Sequence, residues 1–269
     1  TVDAALWTTH PYARTHTART LPPHDTPVNT LQQLLDRGYA PSAHHLIVVG
    51  PVNPADVIAE ATASFARPTD PAAAHRTPPI DLSTLPKTLE ETSRTPLYRV
   101  GGAVWPLPPA PDPDFWPLRI ALDLLEADRA QALSLLPRDS GALQVGVDVS
   151  WGRAGGRLLL AALHPSLRDP DRVRAEGIVF AAAVAAPDWM SDDRIEAALR
   201  TQERRLLAAA WDTAETARWL GWSASLRGTA RSPEQIAAAL RALTPEAVRA
   251  AWRRWITPAS AIPVLLHVG

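Results

Sequence analysis

The sequence predicts an α+β fold: a two-layer sandwich in which helices cover one face of a mainly antiparallel sheet. Three patterns point to it. Residues 143–151 alternate strictly between Leu, Val or Trp and smaller or polar residues, turn through 152–156 and return over 157–163, the pattern of a half-buried hairpin. Several helical periodicities then follow one another to the end of the chain. Finally, an amphipathic run, a proline-marked turn and an apolar run ending in Val-Gly occur twice. The first copy is residues 30–38, Tyr39-Ala40-Pro41 and Leu46-Ile47-Val48-Val49-Gly50; the second is residues 245–255, Ile256-Thr257-Pro258 and residues 264–269. The copies lie about 219 residues apart, the spacing of a duplicated domain rather than of a short solenoid repeat. Roughly 150 residues lead up to the second copy and 29 to the first. The expected organisation is therefore the C-terminal part of one domain (1–66), a linker (67–96) and a complete second domain (97–269).

Each element has a local cause. In the first unit, Asn53-Pro54-Ala55-Asp56 opens a helix, with Asn as N-cap, Pro at the first helical position and an acidic residue in the first turn. Val57, Ile58, Ala61 and Phe65 give that helix an apolar stripe. Pro68, Pro71, Pro78, Pro79 and Pro86 fix φ and remove donors, so 67–96 reads as an extended linker. The second unit begins with a strand over 98–107 and a helix over 115–125, with Leu118, Leu122 and Leu125 on one face. After the hairpin come helices over 173–185, 191–210 (Ile195, Leu199, Leu206 and Ala210 on one face) and 211–226. Ser232-Pro233-Glu234-Gln235 starts another with a capping box. Thr244-Pro245 caps the terminal helix before the last strand.

Composition excludes several function classes. With 27 basic and 28 acidic residues interspersed, the net charge of -1 creates no field for nucleic acid or an anionic membrane. The chain has no cysteine, which removes disulfides, thiolate zinc sites and Cys nucleophiles, and fits a reducing compartment. Its apolar runs are too short to span a bilayer and no signal peptide is visible, so a cytoplasmic location is expected. The 27 prolines, with abundant Ala and Arg, read as a compositional bias of the genome.

His10-Pro11-Tyr12, Tyr39-Ala40-Pro41, Val48-Val49-Gly50-Pro51-Val52-Asn53-Pro54 and the order of elements over 100–269 together resemble the insulinase-type (M16) metallopeptidases. That family includes mitochondrial processing peptidase and bacterial two-subunit peptidases. The resemblance covers nearly the whole chain and implies an M16-like sandwich and cleavage of peptides. It also implies a zinc held by His-x-x-Glu-His and a distant Glu, the motif's glutamate activating the metal-bound water. The sequence contains no such motif among its eight histidines, and His44-His45, adjacent on a strand, would point to opposite faces. The resemblance places the zinc segment upstream of His10, so this chain is expected to hold no metal and the zinc to lie on a partner or a separate segment. The family's substrate-binding Arg and Tyr would fall on Pro137 and Gln144, with Arg138 one residue from the Arg position. The family's glycine-rich loop is replaced by Glu126-Ala127-Asp128-Arg129. Candidate substrate-binding residues are thus Arg138, Gln144, His10 and Tyr12, and none is catalytic.

Duller readings stand beside these. His10 and Tyr12 read first as structural, and Arg138 as a solvated or ion-paired loop residue. Trp151, Trp189, Trp211, Trp219, Trp222, Trp252 and Trp255 read as packing residues, with an exposed subset marking an interface. Asp112, Asp114 and Asp123 are too scattered for a metal. Strand 143–151 reads as sheet core, although family members also accept peptides along strand edges. The resulting expectation is a non-catalytic M16-like subunit of bacterial type that pairs with a zinc-bearing chain around a peptide chamber. The alternative is part of an active zinc endopeptidase whose His-x-x-Glu-His segment lies elsewhere, and the third reading is a stand-alone peptide-binding protein.

Overall fold

The computed structural model describes residues 2–8, 10–13, 27–38, 44–65, 77–93 and 98–268. The first part of the chain forms α1 (Val2–Leu6), α2 (Val28–Gly38), α3 (Pro54–Phe65) and strand β1 (Leu89–Ser93). The middle forms β2 (Tyr98–Leu107), α4 (Phe115–Ala127), α5 (Arg129–Ser134), β3 (Gln144–Trp151) and β4 (Gly156–Pro165). The rest forms α6 (Pro170–Ala185), α7 (Asp192–Ala209), α8 (Thr213–Arg227), α9 (Pro233–Arg241), α10 (Pro245–Trp255) and β5 (Ile262–Val268).

Among the described residues the strands make one sheet in the order β1-β5-β2-β4-β3. All its pairings are antiparallel except β1 with β5, which run parallel. The expected hairpin is β3–β4, in register from Gln144 opposite Leu163 to Trp151 opposite Gly156. Strand alternation sends Ala103, Trp105, Leu107, Leu158, Leu160, Ala162 and Val145 to one face, where α4, α6 and α10 bury them. The indoles that enter this core keep their donors satisfied. Trp105 Nε1 donates to the Thr257 carbonyl at 2.9 Å, and Trp189 and Trp252 Nε1 both donate to the Val184 carbonyl at 3.1 and 3.0 Å.

Helix α6 crosses β2 where glycines allow backbone to meet backbone. A Cβ on Gly177 would lie 2.8 Å from the Gly102 nitrogen, and one on Gly101 would lie 2.6 Å from the Val173 carbonyl oxygen. Sequence-read helix signals hold here. Ser232 and Gln235 form the capping box of α9, Thr244 caps α10, and Asp212 accepts from the backbone nitrogens of Ala214 and Glu215 to start α8. Helix α8 stops at Gly228, whose φ of 77° is a left-handed cap.

The opposite sheet face is also covered in part. Leu6 and Trp7 are buried against Val104, Leu89, Ile262 and Val264, with Ile80 and Leu85 at the edge. The start of the chain is therefore packed on the sheet, an addition to the one-sided layer read from sequence.

Two segments differ from expectation. Residues 46–50 are not a strand. They have the apolar run but no neighbouring strand among the described residues, so no ladder forms. Instead Ile47 Cγ1 lies 3.7 Å from where a Cβ on Gly221 of α8 would sit, while Leu46 and Val48 stay exposed. The segment 67–96 contains β1, because Leu89 finds burial beside Val264 at the sheet edge. With one large apolar residue, β1 leaves little periodic signal in the sequence. Helix α3 forms where Asn53 predicts it, with Asn53 Oδ1 accepting from Ala55 N at 3.0 Å, yet none of residues 44–65 is buried. Tyr39-Ala40-Pro41 and residues 66–76 of the linker lie outside the described residues. Among those described, no helix is long and apolar enough to cross a membrane.

Candidate functional site

His10 and Tyr12 act on each other and on the hairpin. The His10 ring packs edge-on against Tyr12 with centroids 4.5 Å apart, Nδ1 accepts from the Tyr12 backbone N at 3.2 Å, and Nε2 lies 2.9 Å from the Pro78 carbonyl. The Tyr12 hydroxyl accepts from Ala154 N at 3.1 Å, in the β3–β4 turn. It also fills the space over Gly152, where a Cβ would come within 2.2 Å of that oxygen. An ion-paired bridge runs alongside. The buried Arg157 guanidinium reaches Asp3 of α1 and, at 2.8 Å, Asp148 of β3. Burial works against the Arg157 charge, but the hydrogen bonds it donates to Asp3 and Asp148 outweigh it and raise its pKa.

Arg138 and Gln144 sit elsewhere. Arg138 is exposed in the loop between α5 and β3, and Gln144 is the exposed first residue of β3. Tyr12 meets the turn beyond the far end of β3, which at roughly 3.3 Å per residue lies about 25 Å from Gln144. The four candidates thus form two pairs at opposite ends of one edge strand. In place of the family's glycine-rich loop stands α5, capped by Asp128, whose carboxylate accepts from Gln131 N and pairs with Arg194 at 3.0 Å.

The loop that carries Arg138 is tied down by a buried charge cluster that sequence reasoning missed. Glu176 of α6 accepts from Arg168 at 2.5 Å and from Arg172 at 2.9 Å through the same oxygen. Arg168 also donates to the Asp139 carbonyl at 2.8 Å, and Arg172 pairs with the Asp139 carboxylate at 2.7 Å. His164 lies beneath, fully buried, its Nδ1 3.7 Å from the free Glu176 oxygen. Arg99 faces it across the β2–β4 pair. Among the described residues, the buried side-chain atoms without a hydrogen-bond partner are all here: Arg99 Nη1, both His164 ring nitrogens, Arg168 Nε and Glu176 Oε2. Burial lowers the His164 pKa. Glu176 and the nearby Ser140 backbone oppose the shift, and Arg168 adds to it. The signal was present in the sequence: His164 holds a core-facing position in the Leu158, Leu160, Ala162 alternation, and Arg172 and Glu176 are one helical turn apart.

Among the described residues no three His, Asp or Glu side chains converge on a point that could hold an ion. His44 and His45 are both exposed, and His16, His24 and His75 lie outside the described residues. No metal-dependent step is assigned to the residues described.

No family model matches the sequence, and neither does any curated protein. Solved structures do. The inactive domain of a peptidase M16 from Pseudomonas fluorescens superposes with a TM-score of 0.66 at 16% identity, covering 100% of this chain and 64% of that one. The periplasmic protease PqqL from Escherichia coli gives 0.61 at 17% identity, over 82% of this chain and 25% of PqqL. An insulinase-family protease from Yersinia pestis gives 0.54 at 20% identity, over 95% and 57%. The chain therefore spans a quarter of PqqL and less than two thirds of the other two. It has the fold of M16 peptidases.

Proposed function

We propose that this chain, with its M16 peptidase fold, is a non-catalytic subunit that pairs with a zinc-bearing M16-like chain and forms one wall of a peptide-processing chamber. The observation that carries this reading is the bare apolar surface of residues 44–65. Leu46, Val48, Val52, Val57, Ala61 and Phe65 line an open groove of about 500 Å³ with Asp56 and Glu60 at its rim. Leu46 is 57% and Phe65 54% exposed. An exposed apolar segment beside an apolar helix is a docking surface for further sheet. The repeat read from the sequence suggests what would cover such a segment. In the second copy, β5 is flanked on both sides by β1 and β2. The first copy calls for equivalent strands, which a zinc-bearing M16-like polypeptide of the same architecture would bring.

In this role the chain contributes binding, with no acid–base or metal chemistry. Among the described residues strand β3 is an edge of the sheet, and Gln144 at its start and Arg138 in the loop before it are the side chains proposed to meet peptide. His10 and Tyr12 are proposed to order the hairpin at the other end of that edge. The zinc would be held by the partner.

Activity of the assembly tests the reading. Mixed with its partner, the chain is expected to support hydrolysis of unstructured peptides that a chelator abolishes, while the chain alone hydrolyses nothing. Hydrolysis by the partner alone at the full rate would overturn the role given to this chain. A second reading, an enzyme whose zinc segment is an earlier part of the same polypeptide, is favoured by the partial spans of the M16 structures above. Zinc retained by a single longer polypeptide would select it.

A further inference from the structure

In the buried cluster around Glu176, the side chain of the type that changes charge near neutral pH is His164. It is fully buried on the core-facing side of β4, with Nδ1 3.7 Å from Glu176 Oε2. The charged groups packed round it are Arg99 from β2, Arg168 from the β4–α6 loop, and Glu176 and Arg172 from α6. Asp139 of the α5–β3 loop is held by the last two arginines. Arg99 Nη1 and Arg168 Nε are buried donors without a hydrogen-bond partner among the described residues, and Glu176 Oε2 is a buried acceptor without one. A neutral imidazole, with one N–H and one bare nitrogen, suits such a mixture. An imidazolium has two N–H groups and no acceptor, and it would set a fourth cation beside three guanidiniums and two carboxylates. The buried site therefore holds the neutral ring, in keeping with a pKa that burial and Arg168 push down.

The parts that cover His164 are held with unequal firmness. On one side α6 is fixed, because Gly177 meets the β2 backbone at Gly101 and Gly102. On the other lies the loop over residues 137–143, whose Ser140 is buried and has its backbone near the imidazole. That loop is fastened from outside. Arg168 donates to the Asp139 carbonyl at 2.8 Å, and Arg172 reaches the Asp139 carboxylate at 2.7 Å. Gly141, at φ 62°, brings the loop backbone against the same Arg168. The Arg172 and Asp139 side chains are 48% and 78% exposed, and an ion pair that open to water holds weakly. The loop is thus the part of the cover that lifts most easily. With the loop lifted, water reaches His164 and restores its ordinary proton affinity, so the lifted state gains population as pH falls.

We infer that the 137–143 loop is a proton-operated latch: protonation of His164 releases Asp139 from Arg168 and Arg172 and frees the loop that carries Arg138. As a control on peptide binding, the latch rests on the role proposed above for Arg138, which would be held in place at neutral pH and loose in acid. The opening itself is measured without peptide, so the two fail separately.

The test is amide hydrogen exchange on the full chain at pH 7 and pH 5.5, each rate divided by that of the unfolded sequence at the same pH. The reporters are the amides of Ser140, Ala142 and Leu143, which donate to the Pro137 carbonyl, Ser140 Oγ and the Leu163 carbonyl. They are expected to be less protected than the Phe180 amide of α6 at both pH values, the mark of a local opening. Their protection is expected to fall from pH 7 to pH 5.5 by up to about eightfold, the most that one histidine of ordinary pKa allows. His164→Gln is expected to abolish that step. Asp139→Asn, a change at an exposed side chain, is expected to lower protection at both pH values and keep the step, which separates the fastening from the titration. The inference is overturned if the loop amides are as protected as Phe180, if their protection does not change with pH, or if the step survives in folded His164→Gln. Should His164→Gln not fold, Asp139→Asn decides: a loop as protected there as in the parent overturns the latch as well.

Discussion

At the scale of single residues, the side chains with the most definite consequences are Tyr12 and His164. The Tyr12 hydroxyl accepts one hydrogen bond from the hairpin turn, so Tyr12→Phe removes that bond and keeps the ring over Gly152. The expected cost is about 1 kcal/mol, read as a lower denaturant midpoint with an unchanged m value. His164 has a lowered pKa because it is buried, so the folded state holds its proton less well than the unfolded chain does. Stability is therefore full above the ordinary histidine pKa and is lost as pH falls from there toward the folded value. Asp123 and Glu126 act in the opposite sense, since burial raises their pKa values and favours the folded state as they protonate. The comparison of parent with His164→Gln isolates the histidine: the melting temperature of the parent is expected to fall more steeply between pH 7 and pH 5.5. Parallel pH curves would contradict the assignment.

At the scale of elements, what was legible in the sequence follows from how locally each signal is generated. The β3–β4 hairpin, the α9 capping box and the α10 start are fixed by residues within a few positions of one another, and they were readable to within a residue or two. β1 was not, because its burial depends on β5 more than 170 residues later. Residues 46–50 carry the composition of a strand and lack the neighbour that makes one, so composition overstated the structure. The Glu176 cluster was missed for a related reason: His164 and the Arg172–Glu176 pair each leave a local trace, but no local pattern joins the loop, strand and helix that carry them. The packing of α6 on β2 gives a sharp test. Gly177→Ala raises helix propensity by up to about 1 kcal/mol, yet its Cβ would strike the Gly102 backbone. Net destabilisation of about 1–3 kcal/mol is expected from overpacking, measured by denaturant unfolding. A more stable variant would mean that α6 and β2 are not in backbone contact.

At the scale of the whole molecule, the two ends of the chain are unequal in what holds them. Residues 98–268 enclose a core from Ala103 to Ile256, whereas the described residues up to Phe65 are buried only at Leu6 and Trp7, and those are buried against the sheet. A chain of residues 1–66 alone is therefore expected to show no cooperative melt, since the surface that shelters Leu6 and Trp7 would be gone. A cooperative transition would refute this. The same inequality underlies the proposed assembly: residues 44–65 keep their apolar side chains in solvent until another sheet arrives. Native mass spectrometry of the protein purified from its own cells tests that most directly. The account predicts a complex of this chain with a second M16-like polypeptide carrying one zinc ion. The chain recovered alone, without zinc, would contradict it.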